Sequence, residues 1–367
     1  MKIANKNNNI AFIIEGWSRG GTENYCVELS SYLKNKKYNV DIFILGENID
    51  IEFLNESAFC FNNVTFGKSI FEVANIVARA EYIAIHNHLY SNLLYFTTLI
   101  KFISLFKCNV VTTLHMPLRN WGNKVYYQWI MATYISDKVF AVANHVYMKR
   151  DSTSLRKANN SNKFEVIYAK VSLGDRSDDQ VVRRRATFNI CGCGRLSKEK
   201  NWPLLLQSLA SFKDDFSSDF HLTIVGGGDM ELELQDMIKR LGLCEHVHIT
   251  GQVPKSEVVS IMSSSDLLIL PSKFEGLPLV ILEAMALRLP VLASNIPAVE
   301  EIVTHEKNGL VFNLASKDDL TDKIHWCFEH LDRLQNLGKN GYEFYTNEII
   351  PKSNYDKYIE SYHKGTC

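Results

Sequence analysis

No apolar run in these 367 residues reaches the ~18 needed to cross a bilayer, which excludes a membrane-spanning helix. The opening stretch MKIANKNNNI lacks the basic-then-apolar pattern of a secretory leader, so a cytoplasmic protein is expected. No cysteines pair at metal-ligand spacing. Of the eight, Cys26, Cys60, Cys108, Cys244, Cys327 and Cys367 stand alone, and Cys191 and Cys193 form a C-x-C with no second pair nearby. Several fall in strand-like runs, so reduced structural thiols are expected rather than a disulfide framework or a metal site. No internal repeat and no low-complexity segment is visible. The G-x-G-x-x-G fingerprint of a dinucleotide site is absent as well.

Neither sign of charge dominates: 40 Lys and Arg stand against 41 Asp and Glu, for a net charge of −1. The halves differ, because residues 1–186 hold 23 basic against 16 acidic side chains and the remainder 17 against 25. This asymmetry is too mild and too diffuse for a nucleic-acid footprint, and no nucleic-acid partner is expected. It suits an anionic membrane surface, although drift among exposed residues would produce it equally well.

What is present is a globular composition, 46% hydrophobic and 22% charged, at a length that implies two domains. Short β-rich apolar runs recur at 10–14, 40–45, 82–86, 110–114, 139–143 and 164–168. A second series follows at 188–192, 221–225, 246–250, 266–270, 290–294 and 309–313. Helical stretches separate most of them, among them 22–35, with Thr22 placed to cap its start. The polar stretch 169–185 reads as a linker. Strand-helix alternation twice over predicts an α/β protein with two parallel sheets, helices covering both faces of each. Ligands in such folds bind at the carboxyl ends of strands, and a cleft between two facing sheets is the expected site.

Chemistry-bearing residues stand at those strand ends. Gly20 and Gly21 follow the first strand, where a ligand can approach backbone and a helix N-terminus attracts anions, although a plain turn explains the pair about as well. His115 follows the fourth. Arg195 and Lys200, in CGRLSKEKNW, follow the first strand of the second series. Two cations flanking a tight loop can hold a diphosphate, though alone they would read as a solvated basic loop. Gly226, Gly227 and Gly228 open a helix at 229–241 without dinucleotide spacing. In FEGLPLVILEAMALRLPVLAS the helix is expected from about Pro278 to Leu289, apolar almost all round and therefore buried. Glu283 in its middle must pair with an internal cation or meet a ligand, since a lone buried carboxylate is very costly. Glu275 lies just before it. Two acceptor-only carboxylates with Arg195 and Lys200 across a loop suit a ligand with hydroxyls at both ends and phosphates between, as in a nucleotide-sugar.

FEGLPLVILEAMALRLPVLASNIPAVEEIV resembles the E-x7-E signature of the retaining glycosyltransferase family 4, of GT-B fold. GRLSKEKN resembles its R-x4-K motif, GGTENYCVELSSYL its N-terminal Gly-Gly loop and helix, and AIHNHLY and TTLHMP its His-bearing strand ends. GLVFN and the Tyr-rich NYDKYIESYHKG also fit. The resemblance spans nearly the whole chain, and it implies two Rossmann-like domains with parallel sheets facing across a cleft. Residues 1–175, completed by a C-terminal helix at 345–367, would form the acceptor-side domain, and 186–344 the donor domain. Glu283 would hold ribose hydroxyls. Glu275 would meet the transferred sugar, with the backbone of Gly276 and Leu277 beside it. Arg195 and Lys200 would neutralise the diphosphate, so that no metal and no other cofactor is needed. Gly20 and Gly21 would approach the donor from the other domain, His115 would orient the sugar, and backbone at Val253 would meet the base.

The resemblance further implies a UDP-linked hexose or N-acetylhexosamine donor in preference to a GDP-linked one. The acceptor would be a glycan or lipid-linked glycan in bacterial surface polysaccharide assembly. Peripheral contact with an anionic inner membrane face would come through 92–107, 147–157 and Arg183 to Arg185; the alternative makes 92–107 a buried helix. Asn144, where a serine is common, and Ala169 and Lys170, where an Asn-Gly turn is common, depart from the pattern on the acceptor side. Two other activities suit this fold class less well. A sugar-nucleotide epimerase or inverting transferase of the same fold would generally lack this set of four charged residues. A dinucleotide-dependent oxidoreductase would need the missing glycine fingerprint and an acidic ribose ligand after the second strand. A non-catalytic scaffold would be expected to have lost a donor-site charge.

Overall fold

The computed structural model describes residues 8–88, 108–116, 135–147, 163–171, 173, 187–215 and 219–363. The stretches 92–107 and 148–157, together with Arg183 to Arg185 and Cys367, lie outside the described residues. Two compact units divide the chain: Met1–Lys170 with Lys352–Cys367, and Val171–Pro351.

The first unit is built on a parallel sheet of β1 (Asn9–Ile14), β2 (Asn39–Ile44), β3 (Asn63–Thr65), β4 (Ala84–His88), β5 (Asn109–Leu114), β6 (Lys138–Ala141) and β7 (Phe164–Val166), in the order β3-β2-β1-β4-β5-β6-β7. Ile10 to Ile14 are fully buried, as the continuous apolar run requires of a strand covered on both faces. β4 begins two residues later than the run at 82–86 suggested, because Ala84 pairs in register with Ile10 of β1. His86 and His88 are therefore inside the strand, on one face of it. β3 has only three residues and sits at the sheet edge, too short to show any periodicity in the sequence.

The second unit is built on β8 (Phe188–Cys193), β9 (Phe220–Val225), β10 (Val247–Ile249), β11 (Leu267–Leu270), β12 (Val291–Ser294) and β13 (Leu310–Phe312), also parallel, in the order β10-β9-β8-β11-β12-β13. Trp202, Phe212, Phe220 and Phe312 anchor its core with no exposed surface.

The return to the first unit begins at Lys352 rather than at 345. Helix Leu331–Phe344 runs on through a wider π-turn at Tyr345–Ile349, and the Tyr345 hydroxyl donates to the carbonyl of Val171, holding that turn in the second unit. The final helix, Asp356–His363, then closes the first sheet. Its Tyr358 hydroxyl meets the Tyr25 hydroxyl at 2.5 Å and its Tyr362 hydroxyl meets Nδ1 of His86 at 2.7 Å. The departures noted above have local roles: Asn144 Nδ2 donates to the Tyr168 hydroxyl at 2.8 Å, and the Lys170 amide donates to the Tyr355 hydroxyl at 3.0 Å. All described cysteines are free thiols, and among the described residues no helix is long and apolar enough to cross a membrane.

Candidate active site

In the second unit, chain connections leave β8 toward β9 on one side while β11 lies on the other. This reversal point is where parallel α/β sheets open a crevice at the carboxyl ends of their strands. The two loops that flank it carry the charged residues. After β8, Gly194 to Asn201 turn through a 3-10 segment at Lys198–Lys200, closed by Asn201 in the left-handed region (φ 55°). Lys200 is thereby aimed at the loop after β11, and its Nζ donates to Oε1 of Glu275 at 2.6 Å. The Ser272 hydroxyl donates to the same oxygen at 2.6 Å, and Ser272 is itself held by the Ser294 hydroxyl donating to its carbonyl at 2.5 Å. The Lys273 amide donates to the Glu199 carbonyl at 2.7 Å, so the two loops are tied by backbone as well. Lys200 and Glu275 keep 17% and 12% of their side-chain surface, which makes this a largely desolvated pair. Such a pair contributes little net stability, yet removal of one partner strands the other charge. Both bonds fall on Oε1; Oε2 has no partner among the described residues. Arg195 is exposed at the mouth of the loop, its carbonyl accepting from Trp202 Nε1 at 2.9 Å.

The helix that carries Glu283 is shorter than expected, Leu279–Ala286, with Pro278 preceding its first turn rather than within it. It ends early because Arg288 adopts the left-handed conformation (φ 57°). The amide of Leu289 donates to the carbonyl of Ala284, and that of Arg288 to the carbonyl of Met285, a closing motif that usually needs glycine. The helix is not buried all round. Leu279, Val280, Glu283, Ala286 and Leu287 form one half-open face, and Glu283 lies at its centre paired with Lys255. Gly276 and Leu277 are buried, and Val253 is half-buried in the loop after β10.

The corresponding reversal in the first unit lies between β1 and β4. The loop after β1 leads into helix Gly21–Asn35, whose N-cap is Gly20 and not Thr22, which falls inside the first turn. A side-chain carbon at Gly20 would stand 2.5 Å from Oε2 of Glu23. Glu23 is buried and accepts from the Ser18 hydroxyl at 3.2 Å. His115, after β5, is buried against His88, with its Nε2 3.0 Å from Nδ1 of His88.

Burial holds His86 and His88 well below the ordinary histidine value of 6.5 and lowers His115 to about 3. The unfolded chain therefore takes up protons that the folded unit refuses. Stability from this source is complete above pH 6.5 and is lost as pH falls below it toward the folded values, at about 1.4 kcal/mol per pH unit for each ring. Urea unfolding should show the transition assigned to this unit moving to lower denaturant between pH values of about 7 and 5. A midpoint that stays constant over that range would contradict neutral buried rings.

Gly20, Gly21 and His115 thus fall in the first unit, and Arg195, Lys200, Val253, Glu275, Gly276, Leu277 and Glu283 in the second. Within each unit they gather at the carboxyl edge of the sheet. Ser272, Lys255 and His88 were missed as site residues. Ser272 carried a weak signal, a hydroxyl three residues before Glu275 in the same loop. Lys255, 28 residues from Glu283, carried none.

A model of the glycosyl transferases group 1 matches residues 177–344, and a model of glycosyltransferase family 4 matches residues 19–169. An uncharacterized glycosyltransferase, MJ1178 of Methanocaldococcus jannaschii, is 26% identical over 214 residues, 58% of this chain and 56% of that protein. A GDP-mannose-dependent alpha-(1-6)-phosphatidylinositol monomannoside mannosyltransferase of Mycobacterium tuberculosis is 33% identical over 132 residues, 34% of each chain. The chain therefore spans about half or less of the length of these curated relatives. The crystal structure of HepE from Anabaena, in complex with UDP and glucose, superposes with a TM-score of 0.79 at 18% identity, covering 96% of this chain and 99% of that one. With two parallel-sheet halves of matching fold and family models covering both, the chain belongs to the GT-B glycosyltransferases, with a family 4 first half and a group 1 second half.

Proposed function

We propose that this protein is a retaining hexosyltransferase. It moves a hexose or N-acetylhexosamine from a nucleotide diphosphate sugar, UDP-linked in preference to GDP-linked, to a glycan or lipid-linked glycan acceptor in bacterial surface polysaccharide assembly, at the cytoplasmic side of the membrane. The observation that carries this reading is the posture of Glu275. Its Oε1 is held by Lys200 and Ser272, and its Oε2 is left to accept from a sugar hydroxyl. Glu283, one helical stretch further on, accepts from the ribose diol once Lys255 yields it. Arg195 and Lys200 stabilise the charge that develops on the departing diphosphate, which is electrostatic catalysis without a metal. Gly20 and Gly21 bring backbone and a helix N-terminus toward the donor, His115 orients the sugar, and backbone at Val253 meets the base.

The relatives point to two different bases, since one structure holds UDP with glucose and one protein is named for GDP-mannose. A thermal-shift screen of UDP-sugars, GDP-mannose and NAD decides between them. At one hundred times its dissociation constant the true donor stabilises by about 2.7 kcal/mol through mass action. We expect a UDP-sugar to do so and NAD not to; stabilisation by NAD alone would sink the reading. Glu283→Gln should raise the donor dissociation constant by about tenfold or more, since a hydrogen bond to a charged group is lost.

Transfer should persist in excess EDTA, and NMR of the product should show the donor's anomeric configuration retained. An inverted product, or activity restored only by added Mg²⁺ or Mn²⁺, would count against the assignment of the charge work to Arg195 and Lys200.

A further inference from the structure

Three histidine rings form a contiguous layer at the carboxyl edge of the first sheet. His86 and His88 lie with ring centroids 4.2 Å apart, and His88 and His115 with theirs 5.3 Å apart. Phe12 packs at 5.0 Å from His88, and the edge of Tyr25 meets His115 at 5.2 Å. The three rings differ in how their nitrogens are satisfied. His86 uses both, Nδ1 with the Tyr362 hydroxyl and Nε2 with the Thr113 hydroxyl, each at 2.7 Å. Because the Thr113 hydroxyl gives its one proton to the Tyr358 hydroxyl at 3.3 Å, it accepts from Nε2–H of His86, and Nδ1 of His86 accepts from Tyr362.

His88 is fully buried, and its Nε2 is one of the few buried side-chain atoms with no hydrogen-bond partner. Its one hydrogen bond among the described residues is that between Nδ1 and Nε2 of His115, at 3.0 Å. A neutral ring carries a single N–H, so two arrangements exist. If His115 donates through Nε2, the proton of His88 must sit on its own Nε2, as an orphaned N–H in the core. If His88 donates through Nδ1, its Nε2 is left as a bare acceptor. Orphaned buried N–H groups are rarer than orphaned acceptors, so the second arrangement is favoured. It has a consequence one residue away. The Nε2 of His115 becomes an acceptor, and its own proton moves to Nδ1. That atom is not among the buried nitrogens lacking a partner, and His115 retains 7% exposure.

We propose that His88 is a positioning residue that donates its Nδ1–H to His115 and so fixes His115 as the Nδ1–H tautomer, which offers a hydrogen bond to a substrate oxygen and cannot take up a proton there. His115 is then an orienting donor and not a general base or a nucleophile. Contact with substrate rests on the proposed function; the tautomer does not.

The tautomer is read from long-range ¹H–¹⁵N correlation spectra of the unliganded protein labelled at histidine, the His115 signals being identified by their loss in His115→Gln. We expect the His115 proton on Nδ1. A proton on Nε2 of either His115 or His88 overturns the inference. Two variants extend the test. His88→Asn places an amide N–H where Nδ1–H stood, whereas His88→Gln places it where Nε2 stood. The asparagine variant should keep the His115 tautomer and a kcat near wild type. The glutamine variant should lose the tautomer and on the order of 100-fold in kcat, the scale of a misplaced orienting group, with a much smaller change in donor KM. Equal kcat in the two variants overturns the positioning role. Full activity in His115→Gln, with the expected tautomer in the wild-type spectrum, would remove the functional reading and leave the His88 assignment standing.

Discussion

Glu275→Gln is expected to lower kcat on the order of 100- to 1,000-fold, the scale on which one preorganised electrostatic group counts in an active site. Nucleotide affinity should change little, because the affected carboxylate is proposed to meet the sugar and not the nucleoside. The geometry explains why so small a change has so large an effect. An amide in place of the carboxylate cannot neutralise Lys200, which sits 2.6 Å away with 17% of its side-chain surface exposed. Lys200 is then left without its counter-charge in a largely buried site, and the side chain at 275 loses the ion pair that holds it in place to present an oxygen to the sugar. The measurement is paired: UDP binding by calorimetry, and transfer at saturating donor. If the variant transfers at near-normal rate, the sugar-binding role of Glu275 is wrong. If UDP binding collapses along with the rate, the residue serves the nucleotide or the loop instead.

Gly226→Ala should remove much of the stability of the second unit. Gly226 follows β9 with φ +140°, and a side-chain carbon there would lie 2.2 Å from the carbonyl oxygen of Gly194 and 2.9 Å from its carbon. Both atoms belong to backbone, which cannot swing aside as a flexible side chain can. That backbone is fixed on either side: the Gly194 amide donates to Val225, and the Leu196 amide to Gly227. Relief therefore requires the loops after β8 and β9 to separate, at a cost of about 2–4 kcal/mol, in the range of strained backbone combined with core disruption. Arg195 is next to the collision, so donor binding should weaken together with the melting temperature. A variant that melts and binds like the wild type would show that the two loops do not approach so closely.

The same glycine shows what the sequence could and could not reveal. Gly226 to Gly228 read only as an imperfect dinucleotide loop, since nothing local says that the glycine is there to clear a carbonyl 32 positions earlier in the chain. The long strands were legible because burial on both faces leaves a continuous apolar run, as at Ile10 to Ile14. β3 was not, because three residues at an edge carry no period. The end of the Glu283 helix was misplaced because Arg288 takes a left-handed position that glycine normally announces. Glu275, Lys200 and Arg195 were visible as charges at strand ends. The pairing of Lys200 with Glu275, of Lys255 with Glu283 and of His88 with His115 depends on sheet order and register, which no single segment encodes.

The path of the chain bears on how the protein is made. Residues that pack on the first sheet, Tyr358 and Tyr362, are separated from β7 by the whole of the second unit, Val171–Pro351. During synthesis at 5–20 residues per second, roughly 10–40 s pass between emergence of the first sheet and arrival of the helix that covers it. For that interval the face bearing Phe140, His86 and Thr113 lacks the contacts that Tyr358 and Tyr362 make with it, while the second unit consists entirely of residues that precede those two tyrosines. Holding chaperones should therefore engage nascent chains of intermediate length, and loss of the last dozen residues should send the first unit, but not the second, into aggregates.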